Sequence, residues 1–492
     1  MKRPVPWLLG VVLAAGWTVA LVRCVTARVS DADVWWVAAA GRGMLASGRV
    51  PRTNAFSFVE PDHPWVMHEW LFGVPYALGL EAIGPRFFAL VAAAAFVAFA
   101  AVVLRGTLGT SRHAAVGILL AMIPLLVFAH PTARPTWVAL LFPGAMTVLA
   151  FGAPFRPTRA VACVLLELAW TNAHGTFPLG VAILVAAAFA GPADRRLRSA
   201  TAAGAALVTL VNPYGVRLHA LVASYAFGGA ELDDLRRIAE YAPLGDPRYL
   251  ALVTPLGALA LLFLAAAAVT SLVRRRHRAR SVLVLAMLPF AAQHARTAPL
   301  VGVVASLVLV PVLDDLVPAP RLAEYAGSRA PLPTGLLAAG VGFALAVAGA
   351  SFAAVSSRPA PDRIDPALGG ASFVRLAARV PDGGRAMAPF RSSGLLVWLA
   401  AGRGVGVFYD PRNDSYSSAM RHAALTLPEL PPSRIAAELE ARGTEWAIVP
   451  SPEGLPPDRR AGYDGALAGS ANWSVAARDG GWCLYGRQRS TR

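Results

Sequence analysis

Residues Ser30–Trp70 read SDADVWWVAAAGRGMLASGRVPRTNAFSFVEPDHPWVMHEW. This stretch holds two carboxylates in a D-x-D spacing (Asp31, Asp33) and a tryptophan pair (Trp35, Trp36). A cluster of acids, imidazoles and indoles follows (Asp62, His63, Trp65, His68, Glu69, Trp70). An apolar run to about Val22 precedes it, and the apolar segment Leu71–Gly84 comes after. Polar chemistry this dense, set between apolar segments, reads as a loop at a membrane surface.

The rest of the chain supports that reading. It has 492 residues, of which 56% are hydrophobic and 15% charged, with a mean hydropathy of +0.52. Soluble domains carry about 25% charge. Low charge with repeated Ala/Leu/Val runs places the chain among polytopic membrane proteins. The net charge of +16 does not point to nucleic acid, because the arginines cluster in short loops between apolar runs, as the positive-inside bias requires. Three cysteines, Cys24, Cys163 and Cys483, show no ligand or disulfide spacing. The N-terminal Met1-Lys2-Arg3 and the apolar run after it resemble a signal peptide, but no clear cleavage site follows, so an uncleaved first helix is expected.

About eleven spans are predicted, near residues 6–26, 86–104, 114–130, 135–153, 159–172, 175–191, 199–213, 249–272, 281–293, 297–313 and 334–356. Leu71–Gly84, stopped by Pro85, is short enough to lie along the interface or join the second span. Arginine-rich loops alternate, which places the N-terminus in the cytoplasm. The loops 30–70, 130–135, 172–175, 213–248 and 294–296 then face outward, together with everything after residue 356. A Pro-rich linker (Ser357–Asp362) leads into a more polar region. Helical patterns at 370–379, 432–442 and 457–468 there alternate with strand patterns at 385–389, 404–409, 446–450, 473–478 and 482–486. The expected fold is mostly α. A membrane helix bundle occupies residues 1–356, with a large outer loop at 28–70, and residues 357–492 form a small α/β extracytoplasmic domain.

Several residues can carry chemistry. If the D-x-D segment is extended, Asp31 and Asp33 face one side. Such a pair can hold a divalent cation (Mg or Mn) or supply a base. The ordinary alternative is that Ser30 or Asp31 caps the next helix. His68 and Glu69 sit at the edge of an apolar segment, where a carboxylate is costly unless it is paired or functional. Arg134 and Arg296 lie on the outer side against the positive-inside bias, and an anionic lipid phosphate would account for them. His174, in Asn172-Ala173-His174-Gly175, can bond a sugar hydroxyl or end a helix. The Asp410–Tyr416 loop reads as structural. No Walker A, G-x-S-x-G, H-E-x-x-H or G-x-G-x-x-G pattern appears in context.

The D-x-D-x-W-W opening of a large outer loop, with Trp65…His68-Glu69-Trp70 and Trp398…Asp410-Pro411-Arg412, resembles the GT-C class of polytopic glycosyltransferases. That class includes protein mannosyltransferases and aminoarabinose transferases. The resemblance implies a polyprenyl-phosphate-linked sugar as donor, a cell-envelope acceptor, and an inverting displacement with Asp31 or Asp33 as base. It implies no nucleotide cofactor. Two other classes fit an integral membrane protein of this composition: a transporter or flippase of a lipid or polyol, and a non-catalytic assembly factor. A transporter predicts an internal repeat and charges at mid-membrane, and the sequence shows no repeat.

Overall fold

The computed structural model describes residues 5–107, 133–228, 234–238, 241–244, 246, 255–316, 334–357, 359–451 and 462–488. It divides into two units. Residues 1–27 and 89–356 form the first, and residues 28–88 and 357–492 the second.

Numbered along the chain, the helices up to residue 356 are α1 (Val5–Thr26), α2 (Asp33–Ser47), α3 (Trp70–Ile83), α4 (Arg86–Thr107), α5 (Val138–Phe151), α6 (Pro157–Ala173), α7 (Pro178–Ala190), α8 (Arg195–Val208), α9 (Val216–Phe227), α10 (Pro255–Val273), α11 (Arg278–Gln293), α12 (Ala298–Leu316) and α13 (Thr334–Ser356). Of these, α2 and α3 belong to the second unit, and the boundary falls in the first turn of α4. The helices lie within a few residues of the apolar runs that predicted them. The run at 114–130 lies outside the described residues. α9 falls within a segment expected to be an outer loop.

The helical unit is built around Leu21, Val25, Phe96, Phe99, Val103, Trp137, Leu140, Val303 and Leu307, drawn from α1, α4, α5 and α12 and the turn before α5. Its other surface is apolar as well: Val161, Leu165, Phe189, Leu207, Leu262 and Phe343 are each more than half exposed. Water would penalise so much exposed hydrocarbon, whereas lipid does not. Prolines sit inside α5, α11 and α12, which membrane helices tolerate. Among the described residues, Arg86–Thr107 and Ala295–Leu313 are long and apolar enough to cross a bilayer.

In the second unit, five strands form one mixed sheet in the order β2-β1-β3-β5-β4. They are β1 (Arg385–Met387), β2 (Gly406–Val407), β3 (Trp446–Pro450), β4 (Trp473–Asp479) and β5 (Trp482–Arg487). β1 is parallel to β2 and β3, and β5 is antiparallel to β3 and β4. The β4–β5 turn needs positive φ at both Gly480 and Gly481 (49° and 79°), the reason a Gly-Gly pair stands there. Helices α14 (Gly370–Ala377), α15 (Phe390–Ala400), α16 (Ser418–Thr426), α17 (Pro432–Ala441) and α18 (Gly462–Ala468) complete the region. Their core includes Met387, Phe408, Tyr416, Leu439, Val449, Leu467 and Tyr485.

The outer-loop segment is part of the same body. Residues 56–58 run parallel to β2 and extend the sheet. Phe56 O accepts the Val407 N–H at 2.8 Å, and the Phe58 N–H reaches Val407 O at 3.3 Å. Val29 pairs with Ile364 in the same way.

Candidate active site

The D-x-D segment is not extended. Ala32 is in the helical region (φ −73°, ψ −27°), and α2 begins at Asp33. The two carboxylates therefore do not align on one face of a strand. Instead they form a turn closed on itself: Asp31 Oδ1 accepts the Asp33 N–H at 2.9 Å, and Asp33 Oδ1 accepts the Trp36 indole N–H at 3.0 Å. Asp31 thus satisfies one of the unpaired N–H groups that open α2, as its capping alternative required. Asp33 is buried, and Asp31 is half-buried.

Two close backbone approaches fix this acid turn. A Cβ on Gly394, in α15, would fall 2.1 Å from the Ala32 carbonyl oxygen, so α15 lies directly against the turn. A Cβ on Gly41, in α2, would fall 1.8 Å from the Gly73 carbonyl oxygen, so α2 and α3 cross backbone to backbone. Arg42 on α2 stacks on Trp398 of α15, 3.7 Å from the ring centroid, and pairs with Glu81 of α3 at 2.8 Å.

That crossing brings the start of α3 to the acid turn. Glu69 is buried just before α3, with His68 Nε2 3.7 Å from its Oε1. α3 has 14 residues, about 21 Å of helix and less than a bilayer's thickness. Tyr76, one and a half turns into it, is also buried. Its phenol is pushed up first by burial, then by the charges of Glu69 and Asp31. Both carboxylates therefore lie near enough to act on the Tyr76 phenol. Beside them, Trp36 and Trp65 pack edge to face at 5.8 Å, and Trp35 packs on Phe88 at 5.5 Å.

Arg134, His174 and Arg296 belong to the helical unit. Arg134 immediately precedes the short 3-10 turn Pro135–Trp137. His174 ends α6. Its Nδ1 accepts the Thr176 N–H at 3.3 Å and lies 3.0 Å from the Thr176 hydroxyl. Arg296 is exposed, with its guanidinium 3.9 Å from the Tyr241 ring centroid.

The expected structural loop at Asp410–Tyr416 is a buried ionic network. Arg412 donates from Nε and Nη2 to the two oxygens of Asp410 at 2.8 and 2.7 Å, and from Nη2 to Asn54 Oδ1 at 2.5 Å. The Tyr416 hydroxyl donates to Asp410 at 2.7 Å. Burial works against the Arg412 charge, but Asp410 outweighs it and holds the guanidinium above its ordinary value. Glu60 reaches the same region and accepts from the Ser417 N–H and hydroxyl at 2.8 and 2.6 Å, ahead of α16. Sequence reasoning missed Asn54, Glu60, Tyr76 and Gly394. Only the small-residue run Ser392-Ser393-Gly394 inside an apolar helix hinted at a close approach.

Asp31 and Asp33 offer a divalent cation only part of a ligand set. One oxygen of each is already engaged within the turn, and among the described residues no three His, Cys, Asp or Glu side chains converge as metal ligands.

No protein-family model and no curated protein sequence matches the chain. Solved structures do. The Archaeoglobus fulgidus oligosaccharyltransferase tethered to an acceptor peptide superposes with a TM-score of 0.52 and 14% identity. The match covers 91% of this chain and 69% of that one. The archaeal oligosaccharyltransferase AglB from the same organism, in complex with an inhibitory peptide and a dolichol-phosphate, gives 0.50 at 13% identity, covering 89% and 69%. ArnT from Cupriavidus metallidurans bound to undecaprenyl phosphate gives 0.49 at 15% identity over 99% of both chains. The chain has the fold of the GT-C membrane glycosyltransferases.

Proposed function

We propose that the protein is an integral membrane glycosyltransferase that moves a sugar from a polyprenyl-phosphate carrier to a hydroxyl acceptor at the extracytoplasmic face. The observation that carries this reading is the acid turn at the start of α2, set in a GT-C fold. Asp31 is half-buried and oriented by the Asp33 N–H, while Asp33 is buried and bound to Trp36. Asp31 is therefore the base and Asp33 its support. A dolichol-phosphate accompanies the AglB structure, and the carrier lipid is assigned to this chain by that likeness.

In the proposed reaction the Asp31 carboxylate accepts the proton of the acceptor hydroxyl. The oxygen attacks the anomeric carbon, and the bond from that carbon to the phosphate oxygen breaks. The configuration inverts, and polyprenyl phosphate leaves with the bonding electrons. Glu69 and His68 orient the acceptor. Arg134 and Arg296, with His174, are proposed as a phosphate-binding set within the helical unit, where a guanidinium would bond an anionic lipid phosphate. No step is routed through a cation. About eleven spans, a cytoplasmic N-terminus and an extracytoplasmic second unit, residues 357–492 included, complete the proposal.

The test follows the product common to every such donor. Membranes containing the full-length protein are given a panel of undecaprenyl-phosphate-linked hexoses and pentoses with envelope extract, and free undecaprenyl phosphate is measured. Asp31→Asn should lose about 10²–10⁴ in rate, the range for a general base, with a smaller loss for Asp33→Asn. Wild-type release from Asp31→Asn would overturn the assignment.

A further inference from the structure

The acid turn is linked to the buried ion pair of the C-terminal region by an unbroken series of contacts. Asp410 grips Arg412 with both oxygens, which fixes the guanidinium as a rigid plane. That plane lies between two rings, 4.8 Å from the Phe56 centroid and 4.6 Å from that of Trp65. Arg412 Nη1 has no hydrogen-bond partner among the described residues, so this part of the guanidinium meets rings rather than acceptors. Trp65 is itself buried, and its backbone N–H donates to Arg52 O at 2.9 Å. Its indole meets Trp36 at an interplanar angle of 71°. Trp36 donates to the Asp33 side chain, and Asp33 donates its N–H to Asp31 Oδ1.

We propose that Arg412 is a positioning residue for the acid turn: through Trp65 and Trp36 it holds Asp33, and with it the Asp31 carboxylate, in the orientation that reacts. This rests on Asp31 being the base. A core built only for stability does not need a charged plane here, because replacing a buried ion pair with well-packed apolar residues is often neutral or stabilising. A guanidinium clamped by a carboxylate does supply something an aliphatic side chain cannot, a fixed stacking surface for an indole. The indole N–H at the other end of the series is the group that sets the Asp33 rotamer.

Two conservative variants of the full-length protein test this. Trp36→Phe keeps the ring and deletes the N–H. Arg412→Lys keeps the charge and deletes the plane. Each should lower kcat for undecaprenyl phosphate release about 10- to 100-fold, the scale expected for misplacing a reactive group by about 1 Å. KM for the donor should stay near wild type in both. The thermal midpoint should stay near wild type in Trp36→Phe and fall in Arg412→Lys, whose buried bidentate pair is lost. The double variant should lose little more kcat than either single one. Trp65→Phe, which preserves a stacking ring, should retain most of the rate. A readout that needs no donor runs in parallel: amide hydrogen exchange at residues 31–36 should accelerate in both variants. If Arg412→Lys does not fold, Trp36→Phe decides. Wild-type kcat with unchanged exchange at residues 31–36 in Trp36→Phe would overturn the inference, as would a loss in that variant carried by KM or by the thermal midpoint. Asp31→Asn measured alongside separates the two claims: an active Asp31→Asn sinks the base assignment, whereas an inactive one beside a fully active Trp36→Phe sinks only the positioning role.

Discussion

Gly394 offers the most direct perturbation of the acid turn. Substituting alanine adds one methyl group to α15, and that methyl would sit 2.1 Å from the Ala32 carbonyl oxygen. Ordinary contact begins near 3.4 Å, so helix and turn must separate by roughly 1.3 Å. The neighbours leave little room: Leu395, Leu396 and Val397 are buried in the same helix, and Val34 and Trp35 are buried beyond the turn. Over-packing of this kind costs about 1–3 kcal/mol. A displacement of about 1 Å at a reactive carboxylate costs roughly 10²-fold in rate, so activity should fall further than stability. The assay pairs the thermal midpoint of the detergent-purified full-length protein with undecaprenyl phosphate release. Gly394→Ala should remain folded with a modestly lowered midpoint while release falls by about two orders of magnitude. An unchanged midpoint with unchanged release would show that the turn is not held against α15 and would remove the basis for its precise placement.

Three further outcomes are expected. Burial pushes the Asp414 carboxyl up to about 7 from 3.8, only partly opposed by Arg412 and Arg421. Folded protein then keeps this proton at pH values where unfolded chain has lost it, so the stabilisation is present below pH 4 and is lost as pH rises through 7. Asp414→Asn should flatten that slope and raise stability at pH 8, by at most about 4 kcal/mol, and equal pH slopes in denaturation curves would refute it. Gly41→Ala places a Cβ 1.8 Å from the Gly73 carbonyl oxygen, backbone against backbone, and should cost at least about 1–3 kcal/mol by the same measurement. Glu60→Ala removes both acceptors from Ser417 and should cost about 1–2 kcal/mol, as the loss of a helix cap does, with proteolysis near residues 417–420 as its local signature.

Much of this was legible in the sequence because apolar runs and alternation report burial directly. The helices from α4 to α13, α9 excepted, and the strands at 446–450, 473–479 and 482–487 fall where those patterns placed them. α15 was not anticipated, because Arg391, Ser392, Ser393 and Gly394 break the apolar pattern in its first turns and leave a run too short to mark a helix. The D-x-D spacing left two geometries open, an extended pair or a helix cap, and the structure takes the second: Asp31 accepts the first free N–H of α2, a local bond that spacing alone does not encode. Arg412 was invisible as a partner of the tryptophans, since Asn54, Phe56 and Trp65 lie more than three hundred residues earlier and nothing in a single sequence reports such a pairing.

That distance has a consequence for biogenesis. The Arg412–Asn54 bond joins residues 358 apart, and the strand-like contact of Ser57 with Val407 spans nearly as much chain. Contacts this remote are slow to form, because the intervening chain must first be brought to closure. The segment carrying the two aspartates is made first, and the residues that complete its surroundings follow some 358 residues later. Throughout that interval the acidic loop lacks these partners, and its surroundings are complete only once residues 407–412 have been made.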